Sequence, residues 1–421
     1  MTTNDSTGLH TRTSQLDASQ PGLTDTDALD VPALMPITSR PDSVMVRGEG
    51  SYLWDASGKQ YLDFIQGWAV NALGHCSPVM IDALTDQSRQ LISPSPALHN
   101  APQLQLASKL VALSGLAQVH FSNSGSEANE VAVKLARKWA SIHRPGATEI
   151  ITTHNAFHGR TLAMMAACGK PGWDTLFPPA VPGFSKAAFG DVAVIAASIT
   201  DATIAIMVEP IQGEAGVICP PSDYLGELRQ LADQHGVLLI LDEVQTGVGR
   251  TGSFFNYEQA NITPDIVTLG KGLGGGVPIS ATLAAQRVCC FEHGDQGGTY
   301  NGNPLMTAVA GAVVETVSDP EFLQQVCAHG EYLRERLKQM QAQFGFTSVR
   351  GQGLLWGVDL ATDTAAAVQQ RAFDAGLLVN APRPATLRLM PALNVSQEAI
   401  DQAIAGLGEA IRQVAASRQQ Q

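Results

Sequence analysis

The sequence predicts an α/β protein built on a mostly parallel β-sheet that is covered by helices. Between residues 118 and 290, short apolar or β-branched runs alternate with amphipathic helical patterns. Parallel strands are buried on both faces and are joined by helical crossovers, so they appear in a sequence as such runs. The length of 421 residues and the hydrophobic content of 44% are enough for more than one core. We therefore expect a large α/β domain and a second unit.

Local patterns predict the elements in chain order. Residues 48–64 are predicted to form short strands around a turn at 56–59, and residues 103–114 an amphipathic helix. The runs predicted as strands of the main sheet are 119–121, 149–152, 203–208, 237–241, 266–269 and 279–284. The helical patterns are 126–143, 222–235, 303–317 and 319–343. A separate α+β unit is predicted from strands at 354–360, 377–380 and 386–390 and helices at 362–375 and 396–416.

Composition and charge exclude several classes of function. The net charge is −13 and no basic run occurs, which argues against a nucleic-acid partner. No stretch approaches the roughly 20 apolar residues of a membrane span. The first 30 residues contain five aspartates and no apolar core, so they fit neither a secretory nor a mitochondrial signal. We expect a cytoplasmic protein with a flexible tail, and no metal site, because no cysteines form a CxxC pair.

Two glycine motifs match GxGxxG, at 247–252 and 270–275. A dinucleotide-binding site needs such a motif to open a helix directly, but the residues after Gly275 favour a strand and those after Gly252 carry no helical pattern. The run LLILDE at 238–243 resembles the acidic strand of P-loop ATPases, but the required GxxxxGK[ST] is absent. Neither nucleotide-binding fold is predicted.

A better candidate for phosphate binding is FSNSGSEANEVAVKLAR, at 121–137. Small polar residues precede a helix whose N-terminus would offer unpaired N–H groups and the positive end of its dipole. Gly125 would let the backbone approach a ligand, and Ser126 would add a hydroxyl donor. The alternative is a plain capping box made by Ser124 and Glu127.

Lys271 lies in LGKGLGGG, directly after one predicted strand, and Asp242 ends another strand 29 residues earlier. Ligands of open α/β sheets bind at such strand ends, so both side chains are expected in one crevice. An amine nucleophile, a carboxylate and a phosphate-binding helix together would suit a cofactor with a carbonyl, a ring nitrogen and a phosphate. The alternatives are a solvated loop lysine, and an aspartate that caps a helix or forms a salt bridge.

The chain resembles the class III (ω-type) aminotransferases that use pyridoxal phosphate, and among them the acetylornithine aminotransferases above all. The resemblance covers residues 34–415 and depends on nine motifs in order: WDASGKQYLDF, GWAVNALGH, NSGSEANE, FHGRT, EPIQGEAGV, LILDEVQTGVGRTG, TLGKGLGGGVPI, GGTYNGNP and LRLMPAL. It implies fold type I, with a seven-stranded, mostly parallel sheet. The implied division is a flexible tail at 1–30, a small α+β domain from 31–75 and 319–421, and a large cofactor-binding domain at 76–318.

The resemblance also implies the cofactor contacts. Lys271 would bind pyridoxal phosphate covalently and move protons, and the glycines around it would leave it room to swing. Asp242 would pair with the pyridine nitrogen and keep it protonated. The other implied contacts are Phe157 on the ring face, Gln245 at the ring hydroxyl, Gly125 and Ser126 at the phosphate, and Glu243 and Val244 beside Asp242. Thr299 would reach the phosphate of a neighbouring subunit, which implies a homodimer with shared active sites.

The implied substrates are N-acetylornithine, which gives its terminal amine, and 2-oxoglutarate, which receives it to become glutamate. Arg160 would bind the α-carboxylate of the donor, and Arg388 that of glutamate, since an arginine fork holds a carboxylate through two bonds. Glu214 would cover Arg388 when the other substrate is bound, although a permanent ion pair is the alternative. Gly298 is a further substrate contact, and Glu209 has a supporting role.

Two positions depart from the pattern of the family. Thr38 stands where many relatives have a tyrosine, and Trp68 where they often have a smaller apolar residue. These departures leave succinylornithine, ornithine, 4-aminobutyrate and lysine derivatives open as donors. A member that kept the fold as a non-catalytic binding protein is a further alternative, but the presence of Lys271 and Asp242 favours an enzyme.

Overall fold

A computed structural model describes residues 33–419 of the chain, so the predicted tail at 1–30 lies outside the described residues. The strands are β1 Met45–Glu49, β2 Tyr52–Asp55, β3 Gln60–Asp63, β4 Gln118–Ser122, β5 Glu149–Thr153, β6 Phe184–Ala187, β7 Thr203–Val208, β8 Leu238–Asp242, β9 Ile266–Leu269, β10 Ser280–Ala284, β11 Ser348–Gln352, β12 Leu355–Asp359, β13 Leu377–Leu378, β14 Asn380–Arg383 and β15 Thr386–Leu389. In this part of the chain, no helix has the length and apolarity that a bilayer span requires.

The α-helices lie between these strands and at the end of the chain. They are α1 Pro78–Ser88, α2 Ala101–Ser114, α3 Gly125–His143, α4 Leu162–Ala167, α5 Val192–Ser198, α6 Tyr224–His235, α7 Pro304–Val317, α8 Pro320–Phe344, α9 Ala365–Asp374 and α10 Gln397–Gln419. Most predicted helices begin and end within a few residues of these bounds. The helix α1 was not predicted, and it begins with a proline at its first position.

The central sheet confirms the predicted fold class. Its seven strands follow the order β4-β10-β9-β8-β7-β5-β6. All neighbours pair in parallel except β10, which is antiparallel to both β4 and β9. The strands β7 and β8 are buried along their whole length, as expected for the middle of a sheet covered on both faces.

The register of this sheet brings the predicted reactive residues together. The last residue of β8, Asp242, pairs with Thr268 of β9, and Lys271 follows β9 directly. Both strands run in the same direction, so their carboxyl ends open at one edge of the sheet. The predicted crevice is therefore a consequence of two parallel strands in register.

Two smaller sheets have the orders β1-β2-β3-β13 and β11-β12-β15-β14. In the first, β3 pairs in parallel with β13, so residues near both ends of the described chain share one sheet. The predicted domain boundaries at 75 and 318 stay a prediction. The strands β6 and β11 were missed because they are edge strands, and their sequences FSKA and SVRGQ show neither an apolar run nor strict alternation.

Candidate active site

One cavity at the carboxyl ends of β8 and β9 collects most of the predicted site residues. Its walls include eight of them: Gly125, Ser126, Phe157, Glu214, Asp242, Val244, Gln245 and Lys271. Residues that the sequence had not assigned to the cofactor also line it: Ser124, Asn129, His158, Gly159 and Glu209. The cavity lies where an open α/β sheet binds ligands, which supports the predicted convergence of Lys271 and Asp242.

The N-terminus of α3 forms one end of the cavity. Ser124 is its N-cap and shares a capping box with Glu127, in which Glu127 N donates to Ser124 Oγ at 3.3 Å and Ser124 N donates to Glu127 Oε2 at 2.8 Å. Gly125 leaves no room for a side chain, since a Cβ there would lie 2.7 Å from Val244 Cγ1. Ser126 Oγ accepts a hydrogen bond from the backbone N–H of Arg160 at 3.1 Å. The two interpretations of this loop are thus compatible, because a capped helix N-terminus faces the cavity.

Asp242 is almost fully buried, and three hydrogen-bond partners hold its carboxyl group. Asn129 Nδ2 donates to Asp242 Oδ2 at 2.7 Å, and His158 Nδ1 contacts the same oxygen at 2.8 Å. The backbone N–H of Val244 donates to Oδ1 at 3.1 Å. Thr268 Oγ1 donates to Asn129 Oδ1 at 2.7 Å and so fixes the orientation of the asparagine amide. These hydrogen bonds fix the orientation of the Asp242 carboxyl group, and Asp242 also lines the cavity.

Sequence reasoning missed His158 and Asn129. His158 belongs to the quoted FHGRT motif, and Asn129 to NSGSEANE, but neither had been given a role. His158 is 2% exposed, and its Nε2 has no partner among residues 33–419. A ring whose Nδ1–H donates to Asp242 would bury only an unpaired lone pair at Nε2, which costs less than burying an unpaired N–H. Both residues line the cavity and also orient Asp242 through their hydrogen bonds.

Lys271 begins a short 3₁₀ turn, Lys271–Leu273, directly after β9. Its φ of 42° lies in the left-handed region, which side-chain-bearing residues seldom adopt outside functional sites. The preceding Gly270 packs against Gly125, so the lysine backbone adjoins the N-terminus of α3. Burial lowers the pKa of the Lys271 amine, although the neighbouring Glu214 opposes this effect. A lowered pKa favours the neutral amine that a nucleophile requires.

Two glutamates, Glu209 and Glu214, also line the cavity, and their pKa values are shifted in opposite directions. Glu209 Oε1 accepts a hydrogen bond from the backbone N–H of Phe157 at 2.9 Å. Burial raises the pKa of Glu209 well above its usual range, and the nearby Asp242 raises it further. For Glu214, burial alone would raise the pKa, but Arg388 and Lys271 outweigh burial and lower it. Glu209 is thus biased towards its neutral form and Glu214 towards its charged form.

Arg388, on β15, is fully buried behind the cavity. Its Nη2 approaches Glu214 Oε1 to 2.7 Å, off the direction of a hydrogen bond. Its Nε donates to Asn380 Oδ1 at 3.0 Å, and its Nη1 to Gln245 Oε1 at 3.4 Å. Only one of these partners carries a charge, so displacement of Glu214 would leave Arg388 ready for another carboxylate.

The structure leaves four other predicted residues outside the cavity walls. Arg160 is exposed, with its Cζ 4.8 Å from the ring centroid of Trp173. Thr299 is exposed and Gly298 is half-buried, both on the loop before α7. Glu243 is fully buried outside this cavity, and its carboxyl group accepts hydrogen bonds from the backbone N–H groups of Asn256 and Tyr257 at 2.7 and 2.9 Å. A cofactor contact through the Glu243 side chain would compete with these two bonds.

The residues in the cavity fit a phosphorylated pyridine aldehyde. The N-terminus of α3 offers unpaired N–H groups for a phosphate. Gln245 Nε2 is buried and has no partner in the described part of the chain, so it is a donor that awaits an acceptor. Asp242 supplies a carboxylate for a protonated ring nitrogen, and Lys271 supplies an amine for a carbonyl carbon. Phosphate, ring and carbonyl each find a matching group in one cavity.

Comparison with known proteins agrees with this chemistry. The model of the aminotransferase class-III family matches residues 37–411. Acetylornithine aminotransferase 2 of Bordetella bronchiseptica is 54% identical over 370 residues, which are 87% of this chain and 93% of that protein. A succinylornithine transaminase of Salmonella enteritidis is 44% identical, over 87% of this chain and 91% of its own length. The crystal structure of an N-acetylornithine aminotransferase from Stenotrophomonas maltophilia K279a superposes with a TM-score of 0.79 at 37% identity, covering 90% of this chain and 98% of that one.

Proposed function

The chain belongs to the class-III aminotransferases, and on that basis we propose that it transfers the terminal amino group of N2-acetyl-L-ornithine to 2-oxoglutarate. The products are N-acetyl-L-glutamate 5-semialdehyde and L-glutamate. The reaction would be a step of arginine biosynthesis in the cytoplasm. The observation that carries the proposal is the meeting of Lys271 and Asp242 in one cavity, with Arg388 directly behind it. The relative with 54% identity supports the choice of donor.

Members of this class use pyridoxal phosphate, and residues that line the cavity would bind it. Ser126 and the N-terminus of α3 would bind the phosphate, Gln245 the ring hydroxyl, and Phe157 the ring face. When bound, the cofactor supplies an electron sink that stabilises negative charge on the carbon that loses a proton. Asp242 maintains this sink, because an ion pair at ~4 Å and an effective dielectric near 20 is worth roughly 4 kcal/mol.

Lys271 is the proposed base. With substrate bound, its Nζ would take the proton from the amine-bearing carbon of the substrate, hold it, and deliver it to the carbon of the cofactor that carried the carbonyl. Burial favours the neutral amine needed for the first of these transfers. The positive φ of Lys271 and the cavity that it lines support this role, and the adjacent glycines would leave the side chain room to swing.

Arg388 and Glu214 would let one pocket serve two substrates in a ping-pong cycle. In the first half-reaction the donor presents an uncharged chain near Arg388, and Glu214 neutralises the guanidinium. In the second, the α-carboxylate of 2-oxoglutarate takes the place of Glu214. Arg160, at the exposed rim beside Phe157, would bind the donor's α-carboxylate, with Gly298 as a further contact.

The active unit is proposed to be a homodimer with shared sites. Thr299 is exposed and does not line the cavity of its own chain. A hydroxyl on that loop can serve a phosphate only in a neighbouring subunit or after the loop moves. Sedimentation analysis of the purified enzyme, together with the T299A variant, checks this: a monomer with full activity contradicts it.

The donor is tested by a single-turnover titration. Purified enzyme with its cofactor is mixed with N-acetylornithine, N-succinylornithine, ornithine or 4-aminobutyrate, and the loss of the visible absorption band is followed. We expect the fastest loss with N-acetylornithine. Faster loss with another donor would keep the fold and the cofactor but reassign the substrate. No visible band at all would favour a non-catalytic binding protein.

A further inference from the structure

A strained turn precedes the cavity on the N-terminal side of the chain. In the short helical turn Gln66–Ala69, all four residues have positive φ, from 48° at Gln66 to 66° at Trp68. Three of them carry side chains, for which consecutive left-handed residues are unfavourable. Such strain persists only where the surrounding structure imposes it, and it concentrates at functional sites.

The buried Asp63 imposes this conformation. Its Oδ1 accepts the backbone N–H groups of Ile65 and Gln66 at 2.8 and 2.9 Å. Its Oδ2 is held by His75 Nε2 at 2.8 Å, and its carbonyl accepts from Gln66 Nε2 at 3.1 Å. The turn also packs against the segment Lys271–Leu273. It is therefore fixed between a buried carboxylate and the lysine loop.

The turn places one side chain in an unusual position. Trp68 is 47% exposed, although a side chain of this size is usually buried. Arg388 Cζ lies 5.7 Å from the centroid of its ring, within the range of a cation–π interaction. Arg388 itself is fully buried. The indole is thus a cover between this guanidinium and solvent.

Such a cover does not compete with an anion. An aromatic ring attracts the cation through its π face but offers no acceptor for the guanidinium N–H groups. Those groups stay available for a carboxylate. By excluding water, the ring also strengthens the attraction between Arg388 and any carboxylate that replaces Glu214.

We propose that Trp68 is a specificity-determining residue that covers Arg388 and strengthens its binding of the amino acceptor's α-carboxylate. The inference rests on the proposed function, in which Arg388 binds that group. It concerns dicarboxylates such as 2-oxoglutarate. Donor binding at the exposed Arg160 is expected to be independent of it.

The test compares Trp68→Leu with Trp54→Leu in the holoenzyme. Leucine also has a Cβ, so the first exchange keeps the backbone strain while removing the π face. Trp54 is the matched control, because Arg47 Cζ lies 4.3 Å from its ring, so W54L also removes an indole from a guanidinium but leaves Trp68 and Arg388 unchanged. The probe is glutarate, a dicarboxylate that cannot accept an amine, and its affinity is measured by titration calorimetry.

We expect W68L to bind glutarate about 5- to 30-fold more weakly and W54L to bind it as the wild type does. The KM for 2-oxoglutarate should rise in W68L, with the KM for N-acetylornithine unchanged. If W68L does not fold, W68F replaces it, with an expected loss of about 2- to 5-fold for the smaller ring. Unchanged affinity in the folded variant overturns the inference.

A third variant separates this inference from the proposed function. Arg388→Ala should abolish measurable glutarate binding. If R388A binds glutarate as the wild type does, the assignment of Arg388 fails, and the inference fails with it. If binding depends on Arg388 but is indifferent to W68L, only the role of Trp68 is overturned.

Discussion

Two buried aspartates lie at opposite ends of neighbouring strands, β8 and β9, and they are held in opposite ways. Asp265, just before β9, accepts hydrogen bonds from Arg229 Nη1 at 2.8 Å and from Arg287 Nε at 2.7 Å. The backbone N–H of Leu239 donates to it at 2.9 Å. Asp242, at the end of β8, has His158, Asn129 and the backbone of Val244 as partners, and none of these is a fixed cation.

The difference separates a carboxylate that joins parts of the fold from one that lines the cavity and is proposed to act there. The chain neutralises Asp265 with two arginines, so no charge is left for a ligand. Asp242 lies in the cavity, and neither an arginine nor a lysine contacts its carboxyl group directly. A cationic ligand atom, such as a protonated pyridine nitrogen, would therefore meet an oriented carboxyl group that no arginine already holds.

The largest expected loss of turnover comes from removing the amine of Lys271, which lines the same cavity as Asp242. We predict that Lys271→Ala lowers turnover by at least about 10⁴-fold without unfolding the protein, because it removes nucleophile and base together. Lys186→Met is the matched control: burial lowers the pKa of Lys186 to about 8, but its Nζ donates to Ala166 O, away from the cavity. Steady-state rates and thermal unfolding measure both. Unimpaired turnover in K271A would overturn the mechanism.

The two aspartates themselves give the next prediction. Asp242→Asn should lower turnover about 10³-fold, the value of an ion pair worth roughly 4 kcal/mol, with little change in Tm. Asp265→Asn should reduce the free energy of unfolding by about 3 kcal/mol, because two arginines lose their partner, while the folded enzyme keeps its turnover. Urea unfolding and kinetics of both variants decide it. If D265N is as stable as the wild type but inactive, the contrast between Asp265 and Asp242 is wrong.

The smallest effect on the site is expected from Asp242's neighbour, Glu243. Burial raises the pKa of Glu243 to about 8, so the folded state keeps a proton that the unfolded chain has already released. Stability should therefore fall as pH rises from about 5 to 8, by roughly 3 kcal/mol for this group, and level off above. We predict that Glu243→Gln removes this decline and changes cofactor affinity less than about twofold. Unfolding at several pH values and a cofactor titration test it.

A loss of cofactor affinity in E243Q would support the predicted contact between Glu243 and the cofactor. It would mean that the Glu243 side chain gives up its hydrogen bonds from Asn256 and Tyr257 when the cofactor binds. The neighbouring Val244 is the contrasting position, because it lines the cavity whereas Glu243 does not.

Much of the fold and of the site could be predicted from local sequence. Apolar runs marked β7, β8 and β9, because strands buried on both faces need continuous apolar residues. The quoted motifs led to Lys271, Asp242, Gln245 and the N-terminus of α3, and all of these line one cavity. The specific roles given to these side chains stay predictions.

Other features carried no local signal. His158 and Asn129 lie 84 and 113 residues from Asp242 in the chain, so their contacts with it exist only after α3 and the FHGRT loop pack against β8. The left-handed turn at Gln66–Ala69 has one glycine among four residues, too few to predict its conformation. The edge strands β6 and β11 were missed because their sequences contain neither an apolar run nor the strict alternation that predicts a half-buried strand.

By itself, the sequence determined the α/β class and the mostly parallel sheet, because these depend on periodicity. It also predicted, from residue chemistry, side chains that line one cavity. The tertiary structure alone decided which buried aspartate is paired with two arginines and which lines a cavity without an arginine or lysine in direct contact. It also decided that Glu243 lies away from the cavity and that Trp68 covers Arg388. The physical reason is that charge compensation and burial depend on distances between residues far apart in the chain, and only packing sets those distances.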